Sequence, residues 1–386
     1  MTPPPVERSL PTLEARDLID LVRELAAREV APRAAAGEAA GTFPREVFAT
    51  LGDAGLLGLP YPEEHGGGGQ PYEVYLQAVE ELAGAWLAVG LGVSVHTLAC
   101  FPMASYADAG RRAGLLPEMI GGGLLGAYCL SEPQSGSDAA ALTTRAERDG
   151  DGYVLQGVKA WTTHAGEADF YTVMARTSGA GARGISCFHV PAGAPGLSFG
   201  RPERKMGMRS SPTGQVRLDG VRLPAEALTG AEGEGFRIAM AALDGGRLGI
   251  AACAVGVAQA ALDAATAYAR ERRQFGSRVV DFQGVGFLLA DMATQVAAAR
   301  ALYLDAARLR DAGLPYGTRA AMAKLFATDT AMKATTDAVQ VFGGYGYVED
   351  FPVERLMREA KVLQIVEGTN QIQRVVIGRA LARDGG

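Results

Sequence analysis

Residues 149–161 read DGDGYVLQGVKAW and interrupt a chain that otherwise has a helical pattern. The two Asp-Gly pairs predict a tight turn, and the residues after them predict a β-strand. Four further segments have the same character, each short and bounded by Gly, Pro or Ser: DFYTVMART, GISCFHVP, GLSFG and GQVRLDGVRLP. Short strands at this spacing predict a small antiparallel barrel or sandwich.

Helical patterns lie on both sides of these strands. Before them, apolar residues recur at helical spacing, and Pro32 is predicted to end the run. These residues are Leu18, Leu21, Val22, Leu25 and Val30. From Phe236 onward, long amphipathic segments joined by short loops predict a helical bundle. The order helices, strands, helices indicates an α+β chain with a helical domain at 1–125, a β domain at 126–235 and a helical bundle at 236–386.

The bulk composition excludes several classes of protein. With 386 residues, 48% of them hydrophobic, the chain can bury an ample core in two to three layers. A formal charge of −6 argues against a nucleic-acid surface. Glycines and charged residues break the longest apolar stretches, which argues against a membrane span. The first ten residues, MTPPPVERSL, lack the basic start and the apolar stretch of a signal peptide.

Cysteine and histidine usage indicates neither a disulfide framework nor a metal centre. The cysteines are Cys100, Cys129, Cys187 and Cys253. They lie far apart without a C-x-x-C motif, which suits a reducing cytoplasm. The four histidines lie in unlike segments, so we predict no metal site. The glycine runs at 66–69 and 343–346 do not match G-x-G-x-x-G, so they do not indicate a Rossmann site.

Two segments of the β region could hold a flat or anionic ligand. YCLSEPQSGSD at 128–138 ends in a loop whose backbone N–H groups and hydroxyls suit such a ligand, although an ordinary polar turn explains the composition equally well. KAWTTHAG at 159–166 places Trp161 and Thr163 on one face of a strand, where they could bracket a ring. The alternative for Trp161 is a tryptophan packed in the core.

The helical bundle contains two further candidates. LDGGRLG at 243–249 places Asp244 and Arg247 on one helix face, as a ligand site or as a surface ion pair. Two glycines inside a helix cost about 1 kcal/mol each, which indicates that another group approaches the backbone closely. ARERRQFG at 269–276 ends a helix with three arginines, which suit either the helix C-terminus or a pyrophosphate.

QIVEGTNQIQR at 364–374 places a lone carboxylate, Glu367, at the end of an apolar helical run and follows it with Gly368. A surface glutamate at a helix end is the ordinary interpretation. A base that must be poorly solvated is the other, because an apolar setting raises a carboxylate's pKa.

Six motifs in this order resemble the acyl-CoA dehydrogenase family of FAD-dependent flavoproteins. They are YCLSEPQSGSD, KAWTTHAG, LDGGRLGIAACAVGVAQAAL, ERRQFG, QVFGGYGYVEDFPVERLMREAK and IVEGTNQIQR, and the likeness extends over about residues 12–382. The resemblance implies an N-terminal helical domain, a central antiparallel β-barrel domain and a C-terminal four-helix bundle. It also implies a homotetramer that passes electrons to an electron-transferring flavoprotein.

The resemblance assigns roles to individual residues. The FAD-binding residues it implies are Tyr128, Leu130, Ser131, Gly136, Ser137, Trp161, Thr163, Arg272, Gln274, Phe275, Gln283, Gln340, Gly343, Gly344, Thr369 and Gln371. The acyl-CoA-binding residues it implies are Ser137, Asp244, Arg247 and Gly368. Part of the FAD site is expected to lie across a subunit interface.

By the same resemblance, Glu367 is the catalytic base, which takes the Cα proton of an acyl-CoA thioester while a hydride leaves Cβ for flavin N5. The product is a trans-2-enoyl-CoA. The thioester carbonyl needs hydrogen-bond donors, and the N–H of Glu367 is one of those the family uses. One branch of the family carries its base at the position of Gly246, so glycine there favours Glu367 and a short-, medium- or branched-chain substrate. Val366, where the family commonly has Tyr, suggests a somewhat wider acyl site that admits branching.

Three other functions remain open on the sequence alone. An acyl-CoA oxidase and a dehydrogenase acting on a carrier-protein-bound acyl group share the fold. A non-catalytic flavin-binding relative is the third, and the intact Glu367 and Arg247 argue against it.

Overall fold

The computed structural model describes residues 6–179 and 181–383. Helices come first, strands follow, and helices return. The first helices are α1 Leu13–Leu25, α2 Ala31–Ala40, α3 Arg45–Asp53, α4 Tyr72–Ala85, α5 Leu87–Tyr106 and α6 Ala109–Ile120. The strands are β1 Gly126–Cys129, β2 Arg145–Asp149, β3 Gly152–Thr163, β4 Phe170–Arg176, β5 Ile185–Pro191, β6 Leu197–Phe199, β7 Thr213–Pro224 and β8 Leu228–Thr229. The last elements are α7 Gly235–Glu271, β9 Arg273–Gln274, β10 Ser277–Arg278, α8 Gln283–Asp311, α9 Gly317–Phe342, α10 Pro352–Leu363 and α11 Asn370–Arg383.

The sequence predicted that Pro32 ends the first helical run, and this prediction is wrong. A π-helical turn at Ala26–Val30 connects α1 directly to α2, and Pro32 lies in the first turn of α2. The π-helical turn interrupts the regular i→i−4 bonding just before Pro32, so a residue without an N–H is tolerated in the first turn of the α-helix that follows. The helical character therefore continues to Ala40, where Gly41 takes a left-handed conformation with φ of 65°.

The details of the predicted antiparallel β-barrel are not confirmed, because the sheet of the described residues is mixed and open. The eight strands form one sheet in the order β6-β7-β3-β2-β4-β5-β8, with β1 paired to β4, and over the described residues this path does not close. The sheet is mixed, because β4 runs parallel to both β1 and β2. The turn at 149–152 is the predicted hairpin, in which Asp149 pairs with Gly152. It fixes β2 against β3, whereas β1 and β4 are joined through a long connection, and such a connection allows parallel pairing.

The N-terminal and C-terminal helices share one hydrophobic core. This core runs from Ile19 and Val22 of α1 through α4 and α5 to Leu356 and Leu363 of α10, while the sheet has a separate core around Tyr171 and Phe188. Helix α7 packs against α4, α5, α8, α9 and α10. The limits 1–125, 126–235 and 236–386 remain predictions, since the helical parts are not packed independently.

Three helices, α5, α7 and α8, are long and apolar enough to cross a membrane if length and composition alone are considered. Burial within the fold accounts for the apolar character of α5 and α7, whose most apolar windows are 89% and 72% buried. The corresponding window of α8 is 22% buried. The absence of a membrane span therefore remains a prediction.

Candidate active site

Glu367 lies in the turn between α10 and α11, and its two carboxylate oxygens are shielded from solvent without a hydrogen-bond donor among the residues described. Burial raises the pKa of this carboxyl group to about 7, and the positive charges of Lys324 and Arg247 oppose the shift. A carboxyl group with this pKa is half ionised near neutral pH, where a general base is most effective. The ordinary interpretation of Glu367 as a surface glutamate is therefore wrong.

The glycines of α7 allow the close approach that their cost in a helix indicated. A β-carbon on Gly246 would overlap the Glu367 carboxylate, and one on Gly249 would overlap the Ser94 hydroxyl. The Tyr72 hydroxyl donates to the carbonyl of Gly245 at 3.1 Å. Helix α7 thus forms one wall of a site that contains the Glu367 carboxylate.

A narrow cavity of about 20 Å³ lies beside this wall. Its lining is mixed, with apolar and aromatic groups next to hydroxyls, and includes Tyr61, Ser94, Leu98, Phe101 and Gly246. A volume of this size holds roughly one water molecule. The cavity is therefore a narrow space beside the buried carboxylate. Val366, which was predicted to widen this site, is half-buried and packs against the large core.

Asp244 and Arg247 are not a surface ion pair. Arg247 is only 6% exposed, and its Nη1 donates to Asp244 Oδ1 at 2.5 Å. Burial raises the pKa of Asp244, and Arg247 opposes that shift. Arg247 also places a positive charge close enough to Glu367 to lower that group's pKa. The pair therefore belongs to the helix that forms the wall of the cavity, and its arginine also influences the pKa of Glu367.

The loop that follows β1 presents its polar groups at the surface. Tyr128 and Ser131 are half-buried, Leu130 is buried, and Gly136 and Ser137 are exposed. The N–H of Ala160 donates to the Ser131 carbonyl at 2.9 Å, which ties the loop to β3. The loop is therefore anchored at its start and accessible at its glycine, as a ligand-binding loop requires.

A buried ion pair under this loop was not found from the sequence. Lys159 Nζ donates to Glu132 Oε1 at 2.7 Å, and both side chains are almost completely buried. The second acceptor oxygen of Glu132 receives the N–H of Thr143 at 2.7 Å, and Oε1 receives the N–H of Thr144 at 2.9 Å. The signal in the sequence is a lysine within the apolar strand YVLQGVKAW. The pair fixes both ends of the loop that carries Ser131, Gly136 and Ser137.

Trp161 is 64% exposed, so the interpretation as a core tryptophan is wrong. Its φ of 58° is unusual for a bulky residue, and the register of β3 against β7 shifts between Lys159 and Thr162. Thr162 is buried, while its neighbours Trp161 and Thr163 are exposed and half-buried. The irregular strand end thus presents an indole ring and a hydroxyl outward, as the bracketing of a ring requires.

A second cavity, of about 670 Å³, lies at the end of α7. Arg272, Gln274, Gly343 and Gly344 contribute to its lining, together with aromatic side chains. The Arg272 guanidinium lies 5.6 Å from the centre of the Tyr345 ring. A guanidinium group, glycine N–H groups and aromatic faces together suit the diphosphate and base of a nucleotide. The residues present therefore fit the adenosine diphosphate part of FAD.

The remaining predicted residues lie at helix ends. Phe275 is 95% exposed with a φ of 50°, in the turn between β9 and β10. Gln283, Gln340 and Gln371 are exposed. The Thr369 hydroxyl accepts from the N–H of Ile372 at 3.3 Å and so caps α11.

One chain does not bring all of these residues together. Lys324 of α9 donates to the carbonyl of Gly368, beside the base. Phe342 lies 18 residues further along the same helix, which corresponds to about 27 Å. The cavity at Gly343 is therefore remote from Glu367 within one chain.

Three consecutive parts of the chain match family descriptions. Residues 12–123, 127–221 and 233–382 match the N-terminal, middle and C-terminal domains of acyl-CoA dehydrogenase. An acyl-CoA dehydrogenase of Bacillus subtilis is 45% identical over 363 residues, which is 94% of this chain and 96% of that protein.

Two solved structures share the fold. Butyryl-CoA dehydrogenase from Megasphaera elsdenii superposes with a TM-score of 0.95 at 40% identity, covering 98% of this chain and all of that chain. A chain in a structure described as "Electron transferring flavoprotein of Acidaminococcus fermentans: Towards a mechanism of flavin-based electron bifurcation" gives a TM-score of 0.96 at 44% identity, covering 98% of this chain and 100% of that one.

Proposed function

The chain belongs to the acyl-CoA dehydrogenase family, whose members oxidise acyl-CoA thioesters with FAD, and we propose that Glu367 is its catalytic base. One observation carries the assignment: the Glu367 carboxylate is buried against Gly246 of α7 and is without a hydrogen-bond donor among the described side chains and backbone groups. A carboxylate in this setting makes no structural hydrogen bond, so it is free to act on a substrate. A Cα–H beside a thioester is weakly acidic, so its removal needs such a base close to it.

The reaction is the α,β-dehydrogenation of an acyl-CoA to a trans-2-enoyl-CoA. Glu367 takes the Cα proton onto a carboxylate oxygen, and its raised pKa makes it a strong base for a carboxylate. Bound FAD supplies the oxidising capacity for this reaction by taking up the hydride from Cβ. The N–H of Glu367 has no acceptor in the described part of the chain, so it is available to the thioester carbonyl as enolate charge develops.

The chain's own residues support the proposed position of FAD. Trp161 and Thr163 lie at the irregular end of β3, where an outward-facing indole can cover a flat ring. Tyr128 of β1 and Ser131 of the loop after it are proposed to contact the same ring. The accessible Gly136 and Ser137 of the same loop are proposed to contact FAD, and Ser137 to contact the acyl-CoA as well. Thr369 and Gln371, directly after the base, complete the ring site.

We propose further that each FAD is held by two copies of the chain. The diphosphate and adenosine would be held by Arg272, Gln274, Phe275, Gly343 and Gly344, with Gln283 and Gln340 at neighbouring helix ends. The separation of about 27 Å along α9 places this set at the opposite end of the bundle from Glu367. A partner copy that presents its own Arg272 cavity to the ring site solves this problem, which supports the family's homotetramer.

The proposed substrate is a short or branched acyl-CoA. The likeness to the butyryl-CoA dehydrogenase of M. elsdenii, which has this fold at 40% identity, supports a short chain. Gly246 leaves the room for Glu367 that a side chain at this position would take. Asp244, Arg247 and Gly368 are proposed to contact the substrate from α7 and from the turn of the base.

Anaerobic titration of the purified yellow protein with butyryl-, isobutyryl-, 2-methylbutyryl- and octanoyl-CoA tests both parts of this proposal. We expect rapid bleaching of the flavin absorbance by the short and branched substrates, and its loss in Glu367→Gln. A sharp optimum at octanoyl-CoA would refute the short or branched specificity. A Glu367→Gln variant that is bleached as fast as the wild type would refute the assignment of the base.

The electron acceptor is proposed to be an electron-transferring flavoprotein, the protein named in the A. fermentans structure. Slow reoxidation of the reduced protein by air is expected, since rapid oxygen consumption would indicate an acyl-CoA oxidase.

The thiol carrier of the substrate is proposed to be CoA. We therefore expect CoA-bound substrates to bleach the flavin faster than carrier-protein-bound ones, and equal rates would contradict this preference. A cytoplasmic location is supported by four free, buried cysteines.

A further inference from the structure

The base lies in a turn with two successive left-handed residues. Glu367 has a φ of 52° and Gly368 a φ of 89°. Glycine adopts such a conformation freely, but a glutamate does so only when its surroundings hold it there. The side chains that bind this turn therefore decide where the Glu367 carboxylate points.

Two side chains bind the carbonyl groups of the turn. Lys324 Nζ, on the buried side of α9, donates to the carbonyl of Gly368 at 3.0 Å and to Asn370 Oδ1 at 2.9 Å. Gln373 Nε2 donates to the same carbonyl at 2.8 Å and to that of Glu367 at 3.3 Å. Lys324 is completely buried, so its ammonium group has lost its contact with water, which is unfavourable in free energy.

The contact of Lys324 is part of a network that ties the turn to α9. Asn370 Nδ2 donates to Thr328 Oγ1 at 2.9 Å and to Asp329 Oδ1 at 2.7 Å. Gln364 Nε2 donates to the same Asp329 oxygen at 2.6 Å. Both sides of the base, Gln364 before it and Asn370 after it, are thereby fixed to one helix. Several hydrogen bonds to one helix thus restrict the movement of the turn.

The charge of Lys324 acts on the base as well. After burial, Lys324 is the largest influence on the pKa of Glu367, and it lowers that pKa. The effect is mutual: burial lowers the pKa of Lys324 to about 8, and the negative charge of Glu367 opposes this. No ion pair joins the two groups within the described residues, so the influence leaves both carboxylate oxygens free for substrate.

From this geometry we propose that Lys324 is a positioning residue for the catalytic base: it holds the carbonyl of the Glu367–Gly368 turn and keeps a positive charge near the carboxylate. The inference rests on the proposed function, because it concerns the base of that reaction. Without Lys324 the base would be protonated over a wider pH range and would lose a constraint on its direction.

Several other groups face Glu367 and keep their charge state in the variants below. Arg247 is the second cation, and it is left unchanged throughout. Four neutral groups also surround the carboxylate, and burial raises the pKa of each one, which keeps them uncharged over the range tested: Tyr72, Tyr75, Tyr128 and Cys253. Asp329 faces Lys324 and raises that group's pKa.

The test separates charge from hydrogen bonding with three variants at one position. Lys324→Gln keeps an amide donor without the charge, Lys324→Arg keeps the charge, and Lys324→Met removes both. Lys333→Met is the matched control, because Lys333 lies on the same helix in an exposed pair with Asp337. The rate of flavin bleaching by butyryl-CoA is measured from pH 5 to pH 9, and FAD content and Tm are recorded for each protein.

We expect the acidic limb of the rate profile to move upward by about one pH unit in Lys324→Gln, because an opposite charge lowers a carboxyl pKa by about that amount or more. Below both pKa values this shift lowers the rate about tenfold, while the plateau changes little. Lys324→Met should shift the acidic limb by the same amount and also lower the plateau rate, because it removes the hydrogen-bond donor as well as the charge. Lys324→Arg and Lys333→Met should keep the acidic limb at its wild-type pH.

An infrared titration gives a readout that is independent of turnover. The carbonyl stretch of the protonated Glu367 carboxyl group, identified by its loss in Glu367→Gln, should persist to higher pH in Lys324→Gln than in the wild type. A wild-type protein that no acyl-CoA bleaches overturns the proposed function, and the inference with it. A wild type that is bleached normally, with neutral Lys324 variants whose acidic limb and infrared titration stay in place, overturns this inference alone.

Discussion

A carboxylate oxygen of Glu367 lies in the space that a β-carbon on Gly246 would fill. The two residues are 121 positions apart, one in the turn before α11 and the other inside α7. Each determines what the other can be, because a side chain at 246 and the carboxylate of Glu367 cannot occupy the same site. A glycine at 246, although it weakens a helix, thus leaves room for the Glu367 carboxylate.

We expect Gly246→Ala to lower kcat by about 100-fold or more, since even a displacement of about 1 Å in a catalytic group has effects of this size. Gly378→Ala is the control, because Gly378 lies in α11 and a methyl group added there would have no other atom within 4 Å. That variant should raise Tm slightly, as alanine is favoured in helices by about 1 kcal/mol, and leave the bleaching rate unchanged. A Gly246→Ala protein with more than half of the wild-type kcat would contradict this account.

Glu367 should destabilise the fold at neutral pH. Its pKa is about 7 in the folded protein and 4.5 ordinarily, because it is buried. Well below pH 4.5, Glu367 is protonated in both the folded and the unfolded protein, so it does not change the free energy of unfolding. As the pH rises towards 7, the unfolded chain ionises first, and the free energy of unfolding falls by about 3 kcal/mol, which it does not regain at higher pH.

Glu367→Gln cannot ionise, so its unfolding free energy relative to wild type should rise between pH 4.5 and 7 and stay constant above. Denaturant unfolding at a series of pH values measures the difference. Glu226→Gln, a substitution of the same kind at an exposed position, is the control. A difference that is the same at pH 4.5 and pH 8 would show that the carboxyl group is not held in its neutral form.

Removing one partner of the buried Lys159–Glu132 pair should destabilise the protein by about 3–5 kcal/mol, because the other charge stays buried without its opposite charge. Glu132→Gln also loosens the loop that carries Ser131 and Ser137, so we expect reduced FAD content after purification. Glu147→Gln is the control, since the Arg145–Glu147 pair on the next strand is 62% and 69% exposed and should contribute at most about 1 kcal/mol. Equal effects of the two variants on Tm would exclude a special role for the buried pair.

If two chains share each FAD, two inactive variants should restore activity when they are assembled together. Glu367→Gln lacks the base but keeps the Arg272 cavity, and Arg272→Ala has the opposite defect. In a mixed oligomer, an intact Glu367 from one chain meets an intact Arg272 from its partner, so co-expressed subunits should regain a substantial fraction of the activity. Each homo-oligomer is the control, and mixed oligomers no more active than the sum of the controls would place the whole FAD site in one chain.

Local pattern was sufficient for much of this protein. The hairpin at 149–152, the long helices predicted from Phe236 onward and the meaning of the two glycines in α7 all follow from neighbouring residues, because turn chemistry, helical spacing and helix propensity act over a few positions. The family resemblance added the roles of the residues, which composition and spacing left open.

Only the tertiary structure decided what depends on partners distant in sequence. Parallel pairing of β1 with β4, the mixed open sheet and the burial of Glu132 under Lys159 each involve residues that local periodicity cannot connect. The properties of Glu367 belong to the same class, since the sequence places a carboxylate before a glycine but does not show that α7 and Lys324 surround it. The physical reason is that chain pattern sets conformation over short ranges, whereas desolvation and charge, which determine a pKa, depend on what the fold brings into contact.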